Sequence, residues 1–258
     1  MTQRPRTTVV IPCYNEAARL REQEVAALIT DPRVQVLLVD DGSTDGTEAL
    51  LRRIAASSKG RVSWVAMARN GGKAEAVRHG MQRALAEGAE ITGYLDADFA
   101  TPASEMLRLL DALVASDAQV AMGARISRLG ADIQRSPHRH YLGRVFATAA
   151  SVVLGLRVYD TQCGAKLFRA SPALTTALDS PFDSRWIFDV ELLGRLVTAS
   201  GEAHALSAAD FLEVPLRTWH DVAGSKLRPG GMASAGLELL RLGGRALRDR
   251  DTAFRRRP

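Results

Sequence analysis

Two aspartates with one residue between them, Asp96 and Asp98 flanking Ala97, follow the apolar run Ile91–Leu95. Side chains two residues apart point the same way if a strand continues through them. A carboxylate pair at a strand end can hold a hard divalent cation, which binds through one or two carboxylates plus the oxygens of a substrate diphosphate. The alternative is a solvated acidic turn before a helix, because short motifs also match by chance.

A second acidic strand end favours the cation site over the acidic turn. Asp40 and Asp41 end another apolar run earlier in the chain and lead into Gly42–Gly46. Two strands that each end in acids and lead into helices indicate a ligand at the carboxyl edge of a sheet. The pattern therefore predicts a binding site to which both strand ends contribute.

The elements that would position these acids alternate along the first half of the chain. Buried strands are predicted over Thr7–Pro12, Val34–Asp40, Val62–Ala68, Ile91–Leu95 and Val120–Gly123. Helices are predicted over Glu16–Thr30, Asp45–Ala56, Lys73–Glu87 and Pro102–Ser116. This alternation predicts an α/β protein with a mainly parallel central sheet and helices on both faces.

The second half of the chain is less regular. Residues Arg125–Arg144 include five arginines and one aspartate, and they lead into the apolar, helix-like stretch Val145–Leu156. A strand is predicted over Thr161–Arg169, a helix over Ile187–Ala199 and an edge strand over Phe211–Pro215. Gly236–Arg248 fits either an amphipathic helix at a membrane interface or a terminal helix packed on the domain.

The composition is that of a folded protein, with 258 residues, 46% of them hydrophobic and 24% charged. Cys13 and Cys163 form neither a disulfide framework nor a zinc-binding pattern. No run reaches the roughly 18 apolar residues of a membrane span, and Met1–Arg6 lacks the features of a signal peptide. We therefore expect a cytoplasmic protein.

The net charge of +5 is concentrated at the C-terminus. Residues 241–258 contain seven arginines and two aspartates, and 7 − 2 = 5, so they account for the whole excess. Such a tail is either a solvated end or a surface for anionic membranes. Nucleic acid is disfavoured because Phe254 is the single aromatic residue among these arginines, and a stacking surface needs several interleaved with the basic residues.

The motifs together resemble family 2 glycosyltransferases. The resemblance is carried by Val9–Glu16, Val39–Thr47, Asn70–Lys73 with Gly80, and Leu95–Asp98. Further motifs resemble, more narrowly, the dolichyl-phosphate β-glucosyltransferases: Arg135-Ser136, Asp160–Phe168, Trp186–Leu193 and Gly224–Lys226. The resemblance implies a nucleotide-diphospho-sugar transferase (GT-A) domain over residues 1–235, with a nucleotide-binding half (7–125) and an acceptor half (126–235). Residues 236–258 would form an amphipathic helix and basic tail.

The resemblance also implies roles on the donor side. It places Pro12, Tyr14, Asn15 and Glu16 around the nucleoside, and Asp41, with Asp40 nearby, at the base. It implies that Asp96 and Asp98, with Ala97 between them, hold Mg²⁺ or Mn²⁺ on the diphosphate, and that Ser225 and Lys226 close over it. Lys73 would approach the base or diphosphate, or else be a solvated lysine of a first helical turn.

On the acceptor side, Arg125, Arg135 and Arg139 are candidates to bind a phosphate, because arginine forks suit phosphate geometry. Asp189 stands where relatives that use hydroxyl acceptors place a general base, and it could equally bind the sugar or orient the acceptor. Asp98, Arg135 and Asp189 are thus the predicted catalytic residues.

The function implied is inverting transfer of glucose from UDP-glucose to a polyprenyl or dolichyl phosphate, giving a β-linked lipid-phosphate sugar. Eukaryotic members carry an N-terminal membrane anchor, and this sequence shows no such segment. Peripheral contact with the inner face of the membrane is therefore one expectation. Two alternatives stay open: a soluble transferase that acts on a small metabolite, and a catalytically inactive nucleotide-binding protein.

Overall fold

The computed structural model describes residues 5–134, 137–184, 187–198, 205–222 and 238, and for residues 137–142 and 145 it describes the backbone only. Within these residues a seven-stranded sheet forms the centre, with strands β1 (Thr7–Cys13), β2 (Val34–Asp40), β3 (Val62–Ala66), β4 (Ile91–Leu95), β5 (Val120–Ala124), β7 (Ala165–Arg169) and β8 (Phe211–Pro215). Their order in the sheet is β3-β2-β1-β4-β7-β5-β8. A small parallel sheet pairs β6 (Asp132–Gln134) with β9 (Thr218–His220).

Most neighbouring strands of the large sheet are parallel. The exception is β7, which lies between β4 and β5 and runs antiparallel to both. Parallel strands need crossover connections, and the chain supplies helices for them. The helices are α1 (Glu22–Leu28), α2 (Thr47–Ser57), α3 (Lys73–Ala86), α4 (Ala103–Val114), α5 (Pro137–Leu154), α6 (Pro172–Asp179) and α7 (Phe188–Val197), with a 3-10 turn over Ala208–Asp210.

Two hydrophobic clusters show that the helices cover both faces of the sheet. One cluster contains buried residues of α1, α2 and α4, and the other contains buried residues of α3, α5, α6 and α7. Strand residues alternate between the clusters, as Val9 and Val10 of β1 do. The predicted fold class, a mainly parallel sheet with helices on both faces, is therefore confirmed.

Several predicted boundaries are wrong, and each has a local cause. The helix predicted from Glu16 begins only at Glu22, because residues 16–20 form a turn in which Arg19 and Leu20 donate their backbone N–H groups to the carbonyl of Glu16. The strand predicted from Thr161 begins at Ala165, because the chain before it turns, and the backbone N–H of Gln162 donates to Asp160 Oδ1. Helix α5 begins eight residues before the apolar stretch that predicted it.

Helix α6 was not predicted, although its start signal is present in the sequence. Ser171 caps it by accepting a hydrogen bond from the backbone N–H of Leu174 at 3.2 Å, and Pro172 occupies the first turn. The division of the domain at residue 125 stays a prediction. The predicted helix over Gly236–Arg248 and the basic tail lie outside the described residues, Glu238 excepted.

The fold places the two acidic strand ends at one edge of the sheet. Strands β1, β2 and β4 run parallel, and Cys13 at the end of β1 is in register with Asp40 at the end of β2. The loops that follow these strands therefore lie side by side at the carboxyl edge, where α/β sheets bind ligands. Among the described residues, no helix has the length and apolar character needed to cross a bilayer.

Candidate active site

The loops after β1 and β2 are joined by hydrogen bonds. The backbone N–H of Asn15 donates to Ser43 Oγ at 3.0 Å, and that of Thr44 donates to Asn15 Oδ1 at 2.9 Å. Asn15 has a φ of 54°, in the left-handed region that asparagine tolerates better than most residues. Asp40 accepts hydrogen bonds from both the backbone and the hydroxyl of Ser43. The residues predicted to surround the nucleoside therefore form one cross-linked pair of loops.

The carboxylate of Asp41 organises the loop that precedes α3. It accepts hydrogen bonds from the backbone N–H of Gly71 at 2.7 Å, that of Gly72 at 2.9 Å and the side chain of Asn70 at 3.1 Å. Gly42 makes this approach possible, because a Cβ there would lie 2.7 Å from the backbone nitrogen of Asn70. Asp41, predicted to meet the base, therefore holds the loop that leads into α3.

Lys73, the first residue of α3, reaches the acidic pair at the end of β4. Its Nζ lies 2.6 Å from Asp96 Oδ1 in an ion pair. The Lys73 Nζ also lies 5.9 Å from the centroid of the Tyr94 ring and 5.6 Å from that of the Phe188 ring. Lys73 therefore pairs with the acidic turn while its side chain is still 40% exposed, and its role in binding stays a prediction.

The turn after β4 is held by its own hydrogen bonds. The backbone N–H of Phe99 donates to the carbonyl of Asp96, and that of Ala100 donates to Asp98 Oδ1, both at 3.0 Å. The guanidinium of Arg21 donates to the carbonyl of Phe99, whose φ of 49° is unusual for an aromatic residue. Arg21 thus stabilises a turn that the backbone of Phe99 would otherwise disfavour.

The charges at this turn favour a cation. Burial and the neighbouring charge of Asp96 raise the pKa of Asp98 above the ordinary aspartate value. Asp96 Oδ1 is shielded from solvent and receives no aligned hydrogen bond from the described residues, and its partner is the Lys73 ammonium. Two hard oxygen donors of this kind fit Mg²⁺ or Mn²⁺.

The described residues do not enclose a metal by themselves, because they contain no group of three or more His, Cys, Asp and Glu side chains arranged around a common point. A Mg²⁺ site of one or two carboxylates completed by substrate phosphates does not require such a group. The chemistry of Asp96 and Asp98 therefore fits a cation that binds together with a diphosphate.

Asp189 lies in the first turn of α7 and is almost fully buried. Its Oδ1 accepts hydrogen bonds from the Nζ of Lys166, at 2.6 Å, and from the hydroxyl of Tyr94. Burial and the charge of Asp189 raise the pKa of Tyr94 well above its ordinary value, so Tyr94 remains a hydrogen-bond donor. The predicted catalytic carboxylate is therefore bound by two side chains whose roles the sequence analysis did not assign.

Arg125 follows β5 and forms a buried, two-pronged ion pair with Asp160. Its Nε lies 2.6 Å from Asp160 Oδ2 and its second guanidinium nitrogen lies 2.8 Å from Oδ1. Its guanidinium also lies 5.4 Å from the centroid of the Trp219 ring. Burial acts against ionisation of Asp160, but the charge and hydrogen bonds of Arg125 outweigh it and hold the pKa of that carboxyl below its usual range. The Arg125 charge, predicted to bind an acceptor phosphate, is thus largely committed to Asp160.

A small, partly open cleft lies beside this ion pair. It is lined by Arg125, Gly143, Arg144, Phe146, Ala147 and Tyr159–Gln162. Arg144 lies over the ring of Tyr159, 3.7 Å from its centroid, and donates to the carbonyl of Tyr159 at 3.2 Å. Arg144 belongs to the basic segment of the sequence, and its position in the cleft makes it a candidate binding residue that the sequence did not single out.

Four of the predicted residues cannot be placed. Arg135, Ser225 and Lys226 lie outside the described residues, and of Arg139 only the backbone is described. Of the residues that sequence reasoning missed, Lys166 carried the clearest signal, because a lysine inside the apolar run of β7 is unusual unless it is paired. Tyr94 carried no such signal, since an aromatic residue in a buried strand is ordinary.

The sequence is similar to a known protein family and to characterised members of it. The model of the family described as "Glycosyl transferase family 2" matches residues 8–174, well over half of the chain. The polyprenol monophosphomannose synthase of Mycolicibacterium smegmatis is 28% identical over 253 residues, covering 96% of this chain and 92% of that protein. The dolichyl-phosphate beta-glucosyltransferase of Saccharomyces cerevisiae is 30% identical over 248 residues, covering 85% of this chain and 68% of that protein.

Solved structures share the fold. The glucosyl-3-phosphoglycerate synthase of Mycobacterium tuberculosis, in complex with Mg²⁺ and UDP, superposes with a TM-score of 0.62 and 21% identity. The superposition covers 93% of this chain and 80% of that one. The same synthase with Mn²⁺, UDP-glucose and phosphoglyceric acid gives a TM-score of 0.61. Together with the match of the family model, these findings show that the chain belongs to glycosyl transferase family 2, a family of enzymes.

Proposed function

We propose that this enzyme transfers a sugar from a nucleotide diphosphate donor to a polyprenyl phosphate, with glucose from UDP-glucose as the preferred donor. The observation that carries the proposal is the Asp96–Asp98 turn beside Lys73, at the sheet edge where the cross-linked Asn15 and Ser43 loops also end. Relatives named for lipid-phosphate acceptors match most of the chain. The sugar is the finer part of the proposal, since those two relatives are named for mannose and glucose.

The donor side would work by charge. Asp96 and Asp98 would hold Mg²⁺ or Mn²⁺, and a bound metal of this kind offsets negative charge on a departing diphosphate. Lys73, whose Nζ lies 2.6 Å from Asp96 Oδ1, would contribute further positive charge at the same point. The loops of Asn15, Asp40 and Asp41 would bind the nucleoside, and Ser225 and Lys226 would cover the diphosphate, as the sequence predicts.

The acceptor side would need positive charge more than a base. A phosphomonoester is already anionic at neutral pH, because its second pKa is about 6. One of its oxygens would form a bond to the anomeric carbon while the bond from that carbon to the diphosphate breaks, which inverts the configuration and releases the nucleotide. Arg144 in the cleft, with the predicted Arg135 and Arg139, is a candidate to bind that phosphate.

A matched acceptor series tests the proposal. The purified protein is incubated with UDP-glucose, GDP-mannose or UDP-N-acetylglucosamine, with Mn²⁺ or EDTA, and with polyprenyl phosphate, the corresponding polyprenol or a soluble phosphorylated metabolite. We expect a sugar–lipid product, detected by mass spectrometry, only with the lipid phosphate and Mn²⁺. Product on the soluble metabolite alone would favour the small-molecule transferase, and tight nucleotide binding without any transfer would favour an inactive nucleotide-binding protein.

A further inference from the structure

Lys166 is a buried lysine that the proposed mechanism does not use. Lys166 lies in β7 in the interior of the sheet, and its side chain is 0% exposed. An ammonium group in such a place is costly unless it is paired and hydrogen-bonded. Its Nζ has two partners, the carbonyl of Cys163 and Oδ1 of Asp189, each at 2.6 Å. The Lys166 ammonium is therefore bound to a loop at one side and to the start of α7 at the other.

Tyr94 approaches the same carboxylate oxygen from the neighbouring strand. Tyr94 and Lys166 face each other in the β4–β7 register, so their side chains leave the sheet on the same face. The Tyr94 hydroxyl donates to Asp189 Oδ1, and the Lys166 Nζ lies 5.3 Å from the centroid of the Tyr94 ring. Two donors thus hold one oxygen of Asp189, while Oδ2 makes no hydrogen bond to any described residue.

The same lysine connects Asp189 to the acidic pair. The Cys163 carbonyl that Lys166 binds precedes Gly164, and the Gly164 carbonyl accepts a hydrogen bond from the backbone N–H of Asp96 at 3.0 Å. A Cβ on Gly164 would lie 2.1 Å from Asp96 Oδ2, so this peptide packs directly against the Asp96 carboxylate. Lys166 therefore links Asp189 to the loop that packs against this turn.

We propose that Lys166 and Tyr94 are positioning residues that hold Asp189 so that its Oδ2 accepts a hydrogen bond from a hydroxyl of the donor sugar, and that Asp189 is not a general base. The inference rests on the proposed function, because a sugar attached to a diphosphate at Asp96 and Asp98 would lie beside Asp189. Proton uptake by Asp189 would leave the Lys166 ammonium as an uncompensated buried cation, which opposes a base role. A fixed carboxylate bound by two donors suits recognition of a hydroxyl.

The test separates sugar binding from nucleotide binding. The dissociation constants of UDP-glucose and UDP, and of GDP-mannose and GDP, are measured by calorimetry with Mn²⁺ for wild type, Tyr94→Phe, Lys166→Met and Asp189→Asn. We expect each variant to bind the preferred sugar nucleotide roughly tenfold more weakly, the effect of losing a hydrogen bond to a charged group, with unchanged affinity for the free nucleotide. Transfer should slow without being abolished in Asp189→Asn.

Thr92→Val is the matched control for Tyr94→Phe. Thr92 is equally buried on the same strand, and its hydroxyl donates to the carbonyl of Thr8 at 3.1 Å, away from Asp189. Each of these two changes removes one buried hydroxyl, so a similar drop in Tm is expected, whereas only Tyr94→Phe should weaken sugar binding. If Lys166→Met does not fold, Tyr94→Phe still tests whether the donors to Asp189 are needed for sugar binding.

The possible outcomes separate this inference from the proposed function. Suppose that wild type binds a sugar nucleotide more tightly than its free nucleotide. If Tyr94→Phe then binds that sugar nucleotide with the same dissociation constant as wild type, the positioning role is overturned and the proposed function stands. Loss of all transfer in Asp189→Asn with intact sugar binding would show a general base instead. If wild type binds no sugar nucleotide, both the proposed function and this inference fail.

Discussion

At the scale of single residues, the acidic pair is the feature that most needs a test. We expect Asp96→Asn and Asp98→Asn each to lower turnover by at least roughly 100-fold, because each removes a negative charge that would face the cation. A loss of this size is typical when one electrostatic contact to a transition state is removed. Calorimetry should show that UDP binding in these variants no longer depends on Mn²⁺. Wild type in EDTA should behave like the variants.

Asp111→Asn is the control for these variants. Asp111 carries the same charge but lies on α4, where its side chain is 65% exposed and pairs with Arg33. Its substitution should leave turnover unchanged, because exposed ion pairs contribute little. Full activity of both Asp96→Asn and Asp98→Asn in EDTA would exclude a metal-dependent reaction at this turn.

At the scale of elements, the close contact between the loop before β7 and the end of β4 determines where Asp96 lies. A Cβ at residue 164 would overlap the Asp96 carboxylate, so Gly164→Ala must displace either the backbone at residue 164 or that carboxylate. We expect the variant to fold and to lose at least about tenfold in Mn²⁺-dependent UDP affinity, the scale measured when a metal ligand is displaced by changes in its surroundings.

Gly194→Ala provides the matched control for the glycine change. A Cβ on Gly194, within α7, would meet Leu154 Cδ2 at an ordinary contact distance of 3.5 Å. Alanine is also the better helix former by about 1 kcal/mol, so this variant should be as stable as wild type or more stable. Equal UDP affinity of Gly164→Ala and Gly194→Ala would show that the position of Asp96 does not depend on the Gly164 contact.

The elements also show what local sequence can predict. Strands β2 and β4 have the predicted bounds, because buried strands are short apolar runs that end at polar residues. The antiparallel direction of β7 was not predicted, since it depends on which strands are neighbours in space. The start of α1 was placed too early, because residues 16–20 form a turn, and the backbone N–H of Glu16 donates to the Thr47 hydroxyl at the start of α2.

The candidate site also has a part that the sequence predicted and a part that it did not. Asp96, Asp98 and Lys73 were predicted and lie together, because residues at the ends of parallel strands share one edge of the sheet. The partners of Asp189 and Arg125 were not predicted, since Lys166 and Asp160 are distant in sequence and meet only through packing. Long-range ion pairs of this kind leave little trace in local patterns.

At the scale of the whole molecule, contact with a membrane is the remaining question. A lipid-phosphate acceptor would be reached at a bilayer surface, and residues 241–258 carry the whole excess of positive charge. The described residues add an apolar feature, since Val152 on α5, the helix that lines the cleft, is 77% exposed. An exposed apolar side chain and a basic segment are both features that suit reversible binding to anionic lipid.

We therefore expect the protein to float with anionic vesicles at low salt, since each well-placed arginine contributes about 1 kcal/mol. Salt at 1 M should release it, because the Debye length then falls to about 3 Å. Deleting residues 241–258 should abolish flotation and leave UDP binding intact. Val152→Ser should weaken flotation, whereas Val114→Ser on α4, which packs on the opposite face of the sheet, should not. Absence of flotation at low salt would contradict membrane contact and favour a soluble acceptor.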